Sequence, residues 1–315
     1  MKVVLIGATG HIGSYLVPRL VEAGHSVTAV TRGKSAPYFS HPAWRGVKQL
    51  PLEREALERR GEFGKAIANE SADVVIDLIC FTRESAAQLV EALEGRIQHF
   101  ISCGSIWVHG PSLVVPTTEN EPRAPIGEYG EGKAQIEEYL LEKARRDNFP
   151  ATIIHPGHIV GPGWNPLNPQ GHFNNAVWRT IKKGEKLLLP NLGLETLNHV
   201  HADDLAQIFM LSIENYFQSL GESFHATAER AVTLRGFAEW SYRYFGHEPN
   251  LGYLPVEELA DSLSDEDAFF VRDHLYRSPN CSIEKAKRLL NYAPRYTTYQ
   301  AIEEALIALE AKGEI

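Results

Sequence analysis

Tyr129 and Lys133 stand four residues apart at the start of a stretch with helical periodicity, which places a phenol and an ammonium on one face, one turn from each other. An ammonium beside a phenol favours the phenolate, drawing a pKa of about 10 toward neutrality, and lets the oxygen trade a proton with an alcohol or a carbonyl. Ser105, near the end of the preceding expected strand, offers a hydroxyl to hold the same substrate oxygen. With a nicotinamide facing the substrate carbon, this is alcohol–ketone redox chemistry. The spacing alone is weak, since the chain has twelve tyrosines. Its meaning comes from its place, on the helix after the fifth expected strand and downstream of a cofactor fingerprint.

That fingerprint fills the first thirty-odd residues. Lys2 to Ile6 is an apolar, β-branched run that reads as a buried strand, and Gly7-Ala8-Thr9-Gly10-His11-Ile12-Gly13 leads from it into a helical pattern. Gly7 suits the tight turn, Gly10 lets the backbone approach a pyrophosphate, and Gly13 allows close packing of helix on strand. The helix start offers free N–H groups and a positive dipole end to the phosphates, with Thr9, His11 and Ile12 beside them. A second strand, His25 to Thr31, ends at Arg32-Gly33-Lys34. An acidic residue there would bind the adenosine ribose hydroxyls, whereas Arg32 pairs with a 2′-phosphate, so NADP is favoured over NAD.

The elements needed to position these groups follow in order. A short strand at Val47 to Leu50 precedes a polar helix from Leu52 to Asn69. Then come strand Asp73 to Cys80, helix Thr82 to Leu93, strand Ile97 to Cys103, helix Glu128 to Arg146 and strand Ala151 to His155. This alternation argues an α/β fold with a Rossmann-type, doubly wound parallel sheet, which binds ligands at the carboxyl ends of its strands. After Pro156 the rhythm is lost. Helices are expected at Phe173 to Lys183, Ala202 to Asn215 and Leu234 to Tyr244, with two more at the C-terminus, the last opened by a capping-box spacing at Thr297 to Gln300. The division expected is a dinucleotide-binding domain over 1–155 and a smaller, mainly substrate-binding lobe over 156–315, some segments of which return to the sheet.

The bulk composition is that of an ordinary globular protein. The chain has 315 residues, 43% apolar and 23% charged, and a formal charge of -9, which argues against a general binder of nucleic acids or anionic membranes. Three scattered cysteines form neither a disulfide framework nor a zinc pattern and point to a reducing compartment. With no leader and no apolar run of transmembrane length, a cytoplasmic protein is expected.

Six segments taken together, GATGHIG (7–13), SCGSIWVHG (102–110), YGEGKAQIE (129–137), HPGHIVGPG (155–163), NHVHADDLA (198–206) and SIEKAKRLLNYAP (282–294), resemble the extended short-chain dehydrogenase/reductase family in its NAD-dependent epimerase/dehydratase branch. The resemblance runs nearly end to end. It implies that Ser105, Tyr129 and Lys133 are the catalytic triad, with Lys133 also holding the nicotinamide ribose. It further implies that Pro156, His158 and Ile159 contact the nicotinamide amide, that Asp77, Leu78 and Cys80 line the adenosine side, and that the chain forms a homodimer acting on a small molecule.

Departures from the family pattern narrow the reading. Ile106 and Trp107 stand where sugar-nucleotide dehydratases carry an acidic pair, so dehydration is disfavoured. Thr196-Leu197 stands where epimerases of nucleotide sugars carry an arginine for the diphosphate. His109 replaces a usual tyrosine, His155 a common arginine, and Gly132 a serine or alanine inside the catalytic helix, at a cost of about 1 kcal/mol. Among weaker signals, His155, Trp107 and Trp164 are candidate substrate contacts. The other histidines fit no tight metal-ligand spacing, so no metal is expected. The competing class is a cofactor-binding regulatory or RNA-associated protein that has kept the fold, although the acidic charge balance argues against a nucleic-acid partner.

Overall fold

A computed structural model describes residues 1–315. Strand β1 (Lys2–Ile6) sets the plan: Val3 and Leu5 enter one core while Val4 and Ile6 enter another, because successive strand residues point to opposite faces. Helices cover both faces, which is why the run is apolar throughout. Then follow α1 (His11–Glu22), β2 (Ser26–Thr31), β3 (Lys48–Pro51), α2 (Arg54–Glu58), α3 (Phe63–Ala68), β4 (Val74–Asp77), α4 (Arg83–Leu93), β5 (His99–Cys103), α5 (Gly127–Asp147) and β6 (Ala151–Pro156). Beyond these lie β7 (His158–Val160), α6 (Ala176–Lys182), β8 (Leu187–Pro190), β9 (Thr196–Leu197), β10 (His199–His201), α7 (Ala202–Glu214), α8 (Tyr216–Ser219) and β11 (Ser223–Ala226). The chain closes with β12 (Val232–Thr233), α9 (Leu234–Tyr244), β13 (Leu251–Leu254), α10 (Val256–Asp261), α11 (Asp265–Arg277), α12 (Glu284–Leu290) and α13 (Thr298–Ala311).

Seven strands form one parallel sheet in the order β11-β6-β5-β4-β1-β2-β3. The winding reverses between β1 and β4, and the crevice at the carboxyl ends of these strands is where such sheets take ligands. The seventh strand comes from late in the chain, with Phe224 beside Ile154 and His225 beside His155. Helix α7 likewise joins α1 in the core on one face of the sheet, while α3, α4 and α5 cover the other. A third core gathers α6, α9, α13 and β8 around the buried Trp178 and Tyr242.

Three sequence expectations need correction. The helix expected over Leu52 to Asn69 is two, α2 and α3, because the chain turns through Gly61 at φ +65°. The strand expected over Asp73 to Cys80 stops at Asp77, whose carboxylate accepts the Ile79 N–H at 3.1 Å and turns the chain out of the sheet. Four helices, not two, follow Tyr244. Ser264 caps α11 by accepting the Asp267 N–H, and Asn291, at φ +58°, ends α12. The capping box at Thr297 and Gln300 is present.

Candidate active site

The turn after β1 has the geometry of an anion cradle. Gly7 sits at φ +86°, and a Cβ there would fall 2.9 Å from Ile79 Cγ2. A Cβ on Gly10 would meet only the Gly7 oxygen, at 3.3 Å, with open space beyond, whereas on Gly13 it would lie 2.1 Å from the Ala8 oxygen. Gly10 therefore opens the surface and Gly13 fixes the approach of helix to strand. Helix α1 has no side-chain cap and no acidic residue in its first turn, which leaves its leading amides and positive end to a ligand. His11 and Ile12 are themselves buried, so backbone rather than side chain faces the groove.

Next to the turn, Thr9, Thr31, Gly33, Ser35 and Gln49 line a cavity of about 460 Å³ at the ends of β1, β2 and β3. Arg32 stands at its edge, exposed and without an ion-pair partner, while Lys34 is held by Glu53 at 3.0 Å. Asp77 does not line this space. It is fully buried, and Arg54 donates to both its oxygens at 2.8 and 2.9 Å. Leu78 packs beneath Gly7, and the Cys80 thiol is buried, which pushes its pKa up to about 12. Only the backbone oxygen of Cys80 reaches the site, where it receives Lys133.

Tyr129 and Lys133 lie one turn apart on α5, as the spacing requires. Lys133 Nζ is buried, 5.8 Å from the centre of the Tyr129 ring, and donates to the carbonyl oxygens of Cys80 at 2.8 Å and Cys103 at 2.7 Å. An ammonium has three donors, so one remains. Tyr129 is 46% exposed, with its ring between Phe81 and Trp107. Gly132 now has a reason: a Cβ there would lie 2.5 Å from the Phe81 oxygen, so glycine lets α5 close on the loop that Lys133 grips. Ser105 is the N-cap of a short 3-10 helix at Ile106–His109, and its Oγ accepts the Trp107 N–H at 3.2 Å.

The structure brings Trp107 to this group and sends two other candidates elsewhere. Trp107 is half-buried: the Tyr129 ring meets it edge-on at 5.6 Å, His274 at 5.3 Å, and the Arg277 guanidinium covers it at 3.9 Å. His155 is completely buried, with Nδ1 accepting the Ser105 N–H at 3.0 Å and Nε2 lying 3.0 Å from Glu137, and so offers a substrate nothing directly. Trp164 stacks on His11 at 5.6 Å, at the turn between β1 and α1 and not beside Tyr129. Pro156 ends β6 and Ile159 lies in β7. Between them, Gly157 packs so closely that a Cβ would fall 2.3 Å from the Asn198 oxygen. His158 neighbours Trp107, His199 and His274. Burial, then the neighbouring imidazoles, holds His158 well below 6.5, and burial takes His199 to about 3 and His274 to about 4, so the group is uncharged near neutrality.

Sequence reasoning missed Glu137, Arg277 and Phe81. Glu137 was signalled, since it continues the four-residue interval of Tyr129 and Lys133. Arg277 was not, because nothing local announces that it donates to the Ile126 oxygen at the head of α5. Beyond Ile126, α10, α11 and the 191–195 segment enclose a cavity of about 660 Å³. Its walls carry Glu195, Glu257, Asp265 and Asp273, and its one arginine, Arg272, is already paired with Glu257.

A parallel doubly wound sheet with a glycine turn after β1 defines a dinucleotide-binding protein. The chain belongs to the NAD-dependent epimerase/dehydratase family, which it matches over residues 3–225. It is 28% identical over 312 residues to the chloroplast stem-loop binding protein of 41 kDa b from Arabidopsis thaliana, covering 96% of this chain and 78% of that one. It is 25% identical over 267 residues to 2'-dehydrokanamycin reductase from Streptomyces kanamyceticus, covering 85% and 73%. Among solved structures, the fold matches UDP-glucose 4-epimerase of Thermotoga maritima at a TM-score of 0.74, with 19% identity over 99% of both chains. It matches dTDP-glucose 4,6-dehydratase of Bacillus anthracis in complex with NAD at 0.76, with 18% identity over 100% and 98%. No helix is long and apolar enough to cross a membrane.

Proposed function

We propose that this chain is an NAD(P)-dependent oxidoreductase or epimerase acting on a hydroxyl or keto carbon of a sugar-like or other small molecule, with Ser105, Tyr129 and Lys133 as its catalytic residues. The observation that carries the reading is Lys133, buried and held by two carbonyl oxygens within 5.8 Å of the exposed Tyr129 ring, on the sheet whose β1 turn leaves α1 uncapped. The nicotinamide, when bound, donates or accepts the hydride. Tyr129 moves the proton at the substrate oxygen, Lys133 holds the nicotinamide ribose with its remaining donor, and Ser105 holds the substrate oxygen by hydrogen bond. The amides of His11 and Ile12 bind the diphosphate, Pro156, His158 and Ile159 border the nicotinamide, and Arg32 favours NADP through a 2′-phosphate. On this reading the cofactor domain is 1–155, joined by α7 and β11, and the rest is a substrate lobe.

Ile106 and Trp107, in place of an acidic pair, support redox chemistry or epimerisation over dehydration. Thr196-Leu197, in place of an arginine for the diphosphate, supports a substrate other than a nucleotide sugar. A homodimer in a cytoplasmic setting completes the reading. An RNA-associated role is favoured only by the chloroplast stem-loop binding relative, and the charge of -9 opposes it. The test is to denature purified protein, identify any nucleotide released, and follow nicotinamide absorbance with a panel of keto and hydroxy sugars. Cofactor binding with turnover of a panel member supports the proposal. Failure to bind either dinucleotide refutes it, and specific RNA binding without hydride transfer favours the second reading.

A further inference from the structure

Tyr129, Lys133 and Glu137 succeed one another at intervals of four along α5, so phenol, ammonium and carboxylate share one face, exposed at Tyr129 and buried at Lys133 and Glu137. Glu137 is 3% exposed and is gripped by Arg123, whose Nε and Nη2 donate to its two oxygens at 2.8 and 2.6 Å. Such bidentate charge-assisted pairing keeps the carboxylate ionised and fixed. Its Oε1 also faces His155 Nε2 at 3.0 Å. Because His155 Nδ1 accepts the Ser105 N–H at 3.0 Å, the ring proton belongs on Nε2, the nitrogen on the Glu137 side, where the contact is a close approach and not an aligned hydrogen bond.

The backbone is shaped to this contact. A Cβ on Gly104 would lie 2.3 Å from His155 Nδ1, so the imidazole reaches the Ser105 amide only past a glycine. Ser105 is thereby fixed twice, by its N–H to His155 and by its Oγ, which accepts from the Trp107 N–H. The hydroxyl proton is left to donate to a substrate oxygen. An arginine at 155 could pair with Glu137 but has no acceptor for the Ser105 amide.

We propose that Glu137 and His155 are positioning residues, a carboxylate–imidazole pair through which α5, the helix bearing Tyr129 and Lys133, also sets the place of Ser105. The proposal rests on the Ser105, Tyr129 and Lys133 reading above. Two near-isosteric variants of His155 separate its two contacts. His155→Gln reaches Glu137 but offers no acceptor at the Nδ1 position, whereas His155→Asn puts Oδ1 where Nδ1 was and gives up Glu137.

With any carbonyl that the wild type turns over, His155→Gln is expected to lose roughly 10- to 100-fold in kcat, the scale of a small misplacement at a reacting centre. KM and dinucleotide affinity stay within about threefold, and His155→Asn loses on the same scale, because the relay needs both contacts. Wild-type kcat in either variant, or an equal loss of dinucleotide affinity beside the loss of kcat, overturns the proposal. ¹⁵N histidine NMR of the wild-type chain reads the tautomer without any substrate: a bare Nδ1 and a protonated Nε2 are expected, and a protonated Nδ1 overturns the pairing. The expected tautomer in a chain that turns over no carbonyl would instead place the failure in the reading of the triad.

Discussion

Arg54 grips the buried carboxylate of Asp77 with two hydrogen bonds of 2.8 and 2.9 Å, and its Nε also donates to Glu58 and Ser85. Asp77 ends β4 at the carboxyl edge of the sheet, and its side chain faces α2. Removing Arg54 alone leaves a carboxylate buried without compensation. Arg54→Ala is expected to cost about 3–5 kcal/mol by chemical denaturation, and pairing it with Asp77→Leu to restore a substantial part of that. A single variant as stable as wild type would show that the ion pair holds nothing together.

The glycines of the first turn separate folding from binding. Gly13→Ala drives a methyl into the Ala8 backbone, so loss of stability or failure to fold is expected. Gly10→Ala meets only the Gly7 oxygen at 3.3 Å. It should fold with little change in Tm and bind dinucleotide at least about tenfold more weakly in a fluorescence titration, since the methyl occupies the diphosphate approach. Undiminished affinity in folded Gly10→Ala would move the nucleotide away from this turn.

Arg32 is exposed and unpaired beside the 460 Å³ cavity, and the proposed NADP preference rests on its pairing with a 2′-phosphate. Arg32→Ala is expected to raise the Kd for NADPH by about tenfold or more, the value of a charge-assisted phosphate contact, while leaving NADH within about twofold. Equal effects on both cofactors, or tighter NADH than NADPH binding in the wild type, would count against the 2′-phosphate assignment.

Buried histidines make the fold acid-sensitive. Burial lowers His11 and His199 to about 3, and His99, His109, His201 and His274 to about 4. The unfolded chain takes up these protons near 6.5 and the folded chain does not. Stability from this source is complete above about pH 6.5 and is lost as pH falls toward 4, by up to about 1.4 kcal/mol per histidine per pH unit. Tm should fall steadily across that window, and a flat profile would contradict neutral burial of these rings.

How much the sequence discloses depends on the range of the interaction. The β1–turn–α1 unit is legible because each of its glycines answers a local demand, and Tyr129 with Lys133 because helical spacing alone brings them together. Asp77 misleads, since its guanidinium partner is 23 residues away and no local pattern marks it. The return of β11 to the edge of the sheet is a pairing across some seventy residues, with Ser223 beside Ile153, and its four-residue strand has no rhythm of its own. Gly132 looks like a weakness in a helix until the Phe81 carbonyl is seen against it.

The most direct test of the whole account is the single-turnover rate of hydride transfer in Tyr129→Phe against wild type, with the dinucleotide bound to both. Losing one phenolic oxygen is expected to slow the step by roughly 10²- to 10⁴-fold, the usual contribution of a positioned acid–base group, with cofactor affinity within about twofold. Hydride transfer at the wild-type rate would contradict the assignment of Tyr129 as the residue that moves the proton.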